Sequence, residues 1–463
     1  MTLHTEGQPT QIARAMAAAV RDAGGRALVV GGWARDRLLG RASKDIDLEV
    51  FGVPADRLRA LLEPFGPVQT VGESFTVYKV GSIDIALPRR ESKVGRGHRG
   101  FEVHGDPGMT FAEAARRRDF TVNAIGYDLL TDEWLDPFGG RQDLARHVLR
   151  AVDARTFGED SLRVLRAVQF AARFDLAVDP ATADVCRTIP LDDLPAERIW
   201  GEIEKLLLAA PRPSVGFAVA LDLLVVDHLF PELRALVGCL QEPDWHPEGD
   251  VWVHTLMVTD GAVEQSAGLD RGPKLALMLG AVCHDFGKPA TTEFFDGRIR
   301  SHNHEEAGVA PALAFLDRLN VHTIDGFPVR RQVVGLTAHH LKPGMWWKVR
   351  DEVGDGAFRR LAQKVDLELL ARLARADCQG RTGDFDCAAM DWFVERARAL
   401  GVEHRPPPPL LLGRHLLALG VAPGPRVGAI LGRVYERQLD GVVTTTDEAV
   451  ALAKAILAEG PGT

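Results

Sequence analysis

The sequence is poor in cysteine, has no long apolar run and carries no excess of positive charge. Its five cysteines, Cys186, Cys239, Cys283, Cys378 and Cys387, are scattered, odd in number and without paired spacing. That pattern predicts reduced thiols in a cytoplasmic protein. No uninterrupted apolar stretch is long enough to span a bilayer, so no membrane association is expected. The opening residues, MTLHTEGQPTQIARAM, lack a basic start leading into an apolar core and do not read as a signal peptide. A formal charge of −9 speaks against a general nucleic-acid coat protein. Gly287-Lys288 is followed by Pro289, so there is no P-loop. Apart from the stiff run Arg405 to Pro409, no repeat or low-complexity tract interrupts the chain.

With 463 residues the chain has room for several domains. The stretch from Leu28 to Phe51 organises the first of them. An apolar strand, Leu28 to Val30, ends in Gly31-Gly32, and a short helix carrying Arg35 and Asp36 follows and stops near Gly40. A second strand then alternates Asp45, Asp47 and Glu49 with Ile46, Leu48 and Val50, which predicts Asp45 and Asp47 on one face. Two such carboxylates suit a hard cation such as Mg2+ that shares its ligands with substrate phosphates. The glycines let a polyanion approach the backbone, where the N–H groups opening the helix face it. Taken alone, Asp-x-Asp is more often a solvated strand face. Asp84, between Ile83 and Ile85, is either an edge-strand charge or a third carboxylate facing the pair.

Gly95-Arg-Gly97-His-Arg-Gly100 matches a dinucleotide-binding pattern but lacks the required flanks, and is expected to be a basic, mobile loop. The segment Arg89 to Arg118 is arginine-rich, so a local backbone-binding patch survives the overall acidity. In RRDFTVNA, Arg118 is placed to clamp a phosphate by fork geometry, and Asn123 is a buried amide that needs partners. In EDSLRVLR a helix is expected to carry Asp160 and Arg163 on one face, with Arg166 near it. They form either a salt bridge or a base reader. Cytosine and adenine each present an amino donor beside a ring-nitrogen acceptor, which an Asp and an Arg match. Guanine and uracil present the reverse order, and a site built on hydrogen bonds discriminates by about 10⁴.

The second half has another chemistry. His254 opens a helical run, His284-Asp285 ends an apolar one, and His302, His304, His339, His340 and Asp377 follow. A buried His-Asp pair is costly unless paired or metal-bound. This ordered series resembles that of the HD metal phosphohydrolases, and the resemblance implies His254, His284, Asp285 and Asp377 as a first metal set, with His304 and either His339 or His340 completing a second. Mixed imidazole and carboxylate ligands suit Ni2+, Mn2+, Co2+, Fe or Zn2+.

In combination, GGWARD with KDIDL, RRDFTVNA, DPFGGRQDL, EDSLRVLR and LPAERIWGEIEKLL resemble the motifs of the class II tRNA nucleotidyltransferases, the CCA-adding enzymes and their poly(A) polymerase relatives. The ordered series H…HD…H…HH…D resembles the HD metal phosphohydrolases, which the multifunctional CCA proteins contain. The resemblance implies an α/β polymerase-beta-like head followed by all-α neck, HD and C-terminal domains, at 1–150, 151–240, 241–380 and 381–463. It implies Asp45 and Asp47, with Asp84, as catalytic carboxylates holding Mg2+, and Gly31, Gly32, Arg35 and Arg118 against the nucleotide. Asp160, Arg163 and Arg166 then read the base, and the loop Arg89 to Met109 matches the flexible loop linked to the final A addition. Trp33 departs from the smaller residue usual after the two glycines. The implied partners are tRNA, CTP and ATP, with Ni2+ or Mn2+ at the HD site. The tail after the proline run, with Arg426 behind Pro425, is either a tRNA-binding segment or a helical cap. The rival activities are addition of A alone, poly(A) synthesis, phosphate hydrolysis at RNA ends by the HD half, and tRNA binding without catalysis.

Overall fold

A computed structural model describes residues 8–43, 45–71, 77–93, 101–383 and 385–459. The chain forms two compact units, Met1–Ala210 with Val215–Leu229, and Pro211–Ser214 with Phe230–Thr463.

The first unit is built on a mixed sheet. Its strands are β1 (Arg26–Val30), β2 (Ile46–Phe51), β3 (Gln69–Val71), β4 (Val77–Val80) and β5 (Ile83–Ala86). A separate antiparallel pair, β6 (Arg89–Lys93) and β7 (Phe101–Gly105), comes next in the chain, and β8 (Gly126–Tyr127) and β9 (Trp134–Leu135) complete the sheet. Among the described residues the sheet order is β3-β4-β5-β2-β1-β8-β9, with β2 and β5 parallel and the other neighbours antiparallel. Both faces are covered, which explains the continuous apolar run of β1. Ala27 and Val29 pack with Met16, Val20 and Leu58 on one face, while Leu28 and Val30 meet Phe111 and Ala114 on the other. Ile46, Leu48 and Val50 of β2 and Ile83 and Ile85 of β5 all join the first of these cores. By strand alternation Asp47, Glu49 and Asp84 therefore emerge together on the opposite face.

Trp33 turns into the sheet core, where it is 5.7 Å from Tyr127 and is covered by the Arg37 guanidinium. It therefore leaves the diglycine turn unobstructed. The turn of DPFGG is held by Asp136, which accepts from the N–H groups of Gly140 at 2.7 Å and Arg141 at 2.9 Å, at the start of the helix Gly140–Ala145. A Cβ on Gly140 would lie 2.0 Å from the Thr121 carbonyl oxygen. Gly140→Ala is therefore expected to destabilise the first unit by about 3 kcal/mol, read as a lower urea midpoint at unchanged slope.

Among the described residues the second unit is mainly helical, with one hairpin, Thr292–Phe295 with Arg298–Ser301. Helices Val251–Gln265, Arg271–Cys283, Val329–His339 and Leu367–Gln379 carry or flank the histidine and aspartate series. Asp250 and Asp366 cap two of them by accepting from the N–H groups of Val253 and Leu369. The final helices, Gly413–Ala418, Pro425–Leu439 and Thr446–Ala458, enclose a small core of Leu416, Ile430, Val434 and Ala453.

Three expectations are corrected. Cys378 and Cys387 form a disulfide, leaving Cys186, Cys239 and Cys283 as free thiols, so the five cysteines are not all reduced. Their nine-residue separation gives no sequence signal, because a turn between two helices makes the approach. Asp160 is not on a helix: its backbone is extended and the helix begins at Leu162. Asp45 likewise precedes β2 and does not lie within it. The expected mobile loop, Gly95 to Gly100, lies outside the described residues.

Candidate active sites

Gly31 has φ +68°, a left-handed conformation suited to glycine. A Cβ built there would be 3.4 Å from both Arg118 Nη1 and Asp47 Oδ2. The diglycine turn, the carboxylate and the arginine thus converge on one point. Asp47 stands directly opposite Asp84 in the parallel ladder. Partial withdrawal from water, and then the charges of Asp84, Asp45 and Glu49, push the Asp47 carboxyl above its ordinary value against the pull of Arg118. Lys79, on the neighbouring strand, approaches Asp84 at 3.4 Å, and Asp84 Oδ1 is buried without a hydrogen bond. Glu49 is paired with Arg117 and Arg118, and Lys79 lies beside Asp84, which leaves Asp47 and Asp84 side by side as the carboxylates that fit a divalent cation.

A cavity of about 500 Å³ is lined by Gly31, Gly32, Asp47, Arg118, Asp160, Arg163 and Arg166. Its walls are braced by ion pairs. Arg118 donates to the buried Glu49 at 3.1 Å, and Arg35 donates to Asn123 at 2.8 Å while its guanidinium lies 4.0 Å from the Phe174 ring centre. Burial pulls the Arg35 guanidinium below its usual value. Arg166 donates to Asp119 at 2.6 Å, and Asp119 also accepts from Asn123 and from its neighbour's N–H. Burial alone would raise the Asp119 carboxyl, but Arg166 and these hydrogen bonds prevail and hold it below the usual range. Asp119→Ala strands Arg166 and Asn123, and about 3 kcal/mol of stability should be lost. Because the folded-state pKa is depressed, this stabilisation is present above the unfolded value near 3.8 and disappears as pH falls through the lower folded one. The variant should therefore show a flatter acid-unfolding profile below pH ~4, by circular dichroism.

The Asp160 and Arg163 side chains have different partners, and the two residues meet only where the Arg163 N–H donates to the Asp160 carbonyl at 3.1 Å. Asp160 accepts two hydrogen bonds from Arg198, at 3.1 and 3.0 Å, and Arg163 donates to the carbonyls of Thr156 and Arg117. Arg198, from the ERIW segment, and Glu49 were not singled out from sequence. Glu49 was visible as the third acid of the alternating strand; Arg198 gave no signal by spacing.

In the second unit His254, His284, Asp285, His304, His340 and Asp377 converge. Asp285 Oδ2 is 3.2 Å from His284 Nε2, and Asp285 Oδ1 is 3.3 Å from His304 Nε2. His304 and His340 face each other through Nε2 at 3.2 Å, and His254 Nε2 meets Asp377 at 3.1 Å. The orientation is set from behind. His284, His304 and His340 each place Nδ1 within 2.9 Å of the carbonyl three residues earlier, at Ala281, Ser301 and Thr337. Those carbonyls favour an Nδ1–H donor, which leaves Nε2 as the metal-ready lone pair. His254 is braced by Glu248, 2.8 Å from its Nδ1. Burial opposes charge on Asp285 and Asp377, yet the surrounding imidazoles and cations hold both well below the usual carboxylate range. Burial and the neighbouring His304 pull His340 down to about 3. His284 Nε2 is buried without a hydrogen-bond partner. Converging Nε2 atoms and ionised carboxylates, with Asp285 Oδ2 as well as His284 Nε2 lacking a hydrogen-bond partner, fit a metal centre of mixed nitrogen and oxygen ligands.

His340, not His339, joins this cluster. Adjacent residues on a helix point about 100° apart, and His339 lines a separate cavity with Arg330, Arg331 and Lys364. His302 is exposed and outside the cluster. His246, Glu248, Lys288 and Arg381 were missed. Lys288 lies 2.7 Å from Asp285, and Arg381 lies 3.5 Å from Asp377. Their i+3 and i+4 spacings from the two acids were the available signal.

Comparison with known proteins places a recognised domain over each of the two regions. Residues 27–150 match the Poly A polymerase head domain, 176–236 the probable RNA- and SrmB-binding site of polymerase A, and 251–378 the HD domain. A CCA-adding enzyme solved with CTP is 21% identical, covers 98% of this chain and 96% of its own, and superposes with TM-score 0.60. The Bacillus stearothermophilus CCA-adding enzyme with CTP gives 0.63 at 20% identity, over 98% and 99%. Fold and site together define a nucleotidyltransferase with an HD domain. A multifunctional CCA protein of Stenotrophomonas maltophilia (strain R551-3) is 36% identical over 379 residues, 77% of this chain and 86% of its own length. One from Laribacter hongkongensis (strain HLHK9) is 38% identical over 299 residues, 63% and 70%. The chain belongs to the multifunctional CCA protein family.

Proposed function

We propose that the first unit adds cytidine and adenosine to the 3′ end of tRNA to complete CCA, and that the HD centre hydrolyses phosphate esters at RNA ends. The convergence of Asp47, Arg118 and the Gly31 turn carries the first part. The four-part division at 1–150, 151–240, 241–380 and 381–463, and action in the cytoplasm, belong to the same proposal.

Asp47 with Asp45 and Asp84 would hold Mg2+, which supplies a lowered pKa at the attacking hydroxyl and charge neutralisation on the triphosphate. Arg118 and the backbone at Gly31-Gly32 hold the triphosphate, and Arg35 stiffens the wall through Asn123. Asp160 and Arg163, which line the same cavity, would present an acceptor and donors to the base. In the HD centre, His254, His284, Asp285, His304, His340 and Asp377 would hold Ni2+ or Mn2+, which supplies an activated water. Lys288 adds positive charge near the ester phosphate.

The test is incubation of tRNA ending at the discriminator base, at C and at CC with each nucleotide separately. Addition of C to the first two and of A to the third is expected; A addition alone would make this an adenylyltransferase. Exchanging Asp160 and Arg163 should cut selection of CTP and ATP over UTP and GTP by about 10²-fold or more. An unchanged preference would remove them from base reading.

A further inference from the structure

The third acid of the alternating strand has no part in the proposed transfer. Glu49 stands two residues beyond Asp47 on the same strand, with its side chain only 4% exposed. Its neighbour in the parallel ladder is Ala86, whereas Asp47 has Asp84 beside it. Both Glu49 oxygens are engaged: Oε2 accepts from Arg118 Nη2 at 3.1 Å, and Oε1 accepts from Arg117 at 3.4 Å. A carboxylate with no acid opposite it and an arginine on each oxygen is a poor metal ligand. It is well placed to hold an arginine. Arg118 Nη1 and Asp47 Oδ2 both lie 3.4 Å from the point where a Cβ on Gly31 would stand. Arg118 nevertheless forms its ion pair with Glu49, and its Nη1 donates to the Asn123 carbonyl at 3.2 Å. The guanidinium is thus fixed through both terminal nitrogens, beside the metal carboxylate and not on it. A mostly buried charge that loses its partner is costly. Freed from Glu49, Arg118 would turn to another carboxylate within reach, and Asp47 is at hand across the Gly31 turn.

We propose that Glu49 is a positioning residue for metal binding: by holding Arg118 it keeps the guanidinium off Asp47, leaving that carboxylate to Mg2+ and Arg118 to the triphosphate. The inference rests on the assignment of Mg2+ to Asp47. Its consequence is a competition. Without Glu49, Arg118 and the cation contend for the same oxygen, and more metal is needed to displace the arginine.

The experiment measures Mn2+ binding by electron paramagnetic resonance in the full chain carrying His284→Ala, which disables the HD centre. A non-hydrolysable CTP analogue is held at saturation for each protein. Glu49→Gln keeps the shape and removes the charge, and should raise the Mn2+ dissociation constant about ten-fold. The Mg2+ concentration that half-saturates C incorporation should rise by a similar factor, with most of kcat recovered at high Mg2+. Glu49→Asp, which retains the charge, should restore most of the affinity. In an Arg118→Ala background Glu49→Gln should change the constant by less than about two-fold, because the competitor is gone. Should Glu49→Gln fail to fold, Glu49→Gln with Arg117→Gln makes the same comparison with the net charge of the cluster kept. Equal weakening in both backgrounds would show that Glu49 acts only through the fold and would overturn the proposal, as would an unmoved constant. Mn2+ binding that survives Asp47→Asn would overturn the metal assignment and this inference with it. Binding lost in Asp47→Asn but untouched by Glu49→Gln would defeat the inference alone.

Discussion

Asp47→Asn is expected to reduce C and A incorporation into tRNA by at least about 10³-fold while leaving the protein folded. The substitution is isosteric and removes one negative charge from a group that already faces Asp84, Asp45 and Glu49. The fold gains nothing from that charge. A carboxyl whose folded pKa is raised above its unfolded value opposes folding once ionised, so stability contributed by this group rises as pH falls. The asparagine variant should therefore unfold at the same or a higher temperature than the parent at pH 7. Added Mg2+ and CTP should raise the parent's midpoint by mass action and leave the variant's nearly unmoved. Lost incorporation with lost stability would indicate misfolding; retained incorporation would move the metal elsewhere. Asp45→Asn should have a smaller effect, because Asp45 lies before the strand while Asp47 stands opposite Asp84 within the ladder.

The second large effect belongs to the other unit. His284→Ala combined with Asp285→Ala should abolish metal loading at the HD centre and all phosphate release, yet leave nucleotide incorporation within about two-fold. Asp285 is the hub: it contacts His284, His304 and Lys288 within 3.3 Å. Removing it alone leaves Lys288 without its carboxylate, so about 3–5 kcal/mol of stability of the second unit should go with it. His284→Ala alone is the cleaner probe, since the side chain's one hydrogen bond is to its own helix at Ala281. Metal content by mass spectrometry and phosphate release should fall together in that variant. Phosphate release from protein lacking bound metal would contradict the assignment of the cluster.

Alternation made Asp47, Glu49 and Asp84 legible as one face, since apolar neighbours on both strands fixed which side was buried. The HD ligands were legible because each is a histidine or acid that could not be buried without partners. What escaped were the residues that hold those groups in place. Arg198 reaches Asp160 across 38 positions of sequence, and Glu248 braces His254 from a loop. The choice between His339 and His340 depended on the rotation of one helix by a single residue. The Cys378–Cys387 disulfide depended on a turn that composition does not encode.

The most direct measurement is a Mn2+ titration by electron paramagnetic resonance, in protein whose HD centre is disabled by His284→Ala. A non-hydrolysable CTP analogue should create tight Mn2+ binding when Asp47 is present, and Asp47→Asn should abolish it. Nucleotide-dependent Mn2+ binding of equal affinity in both proteins would contradict the account.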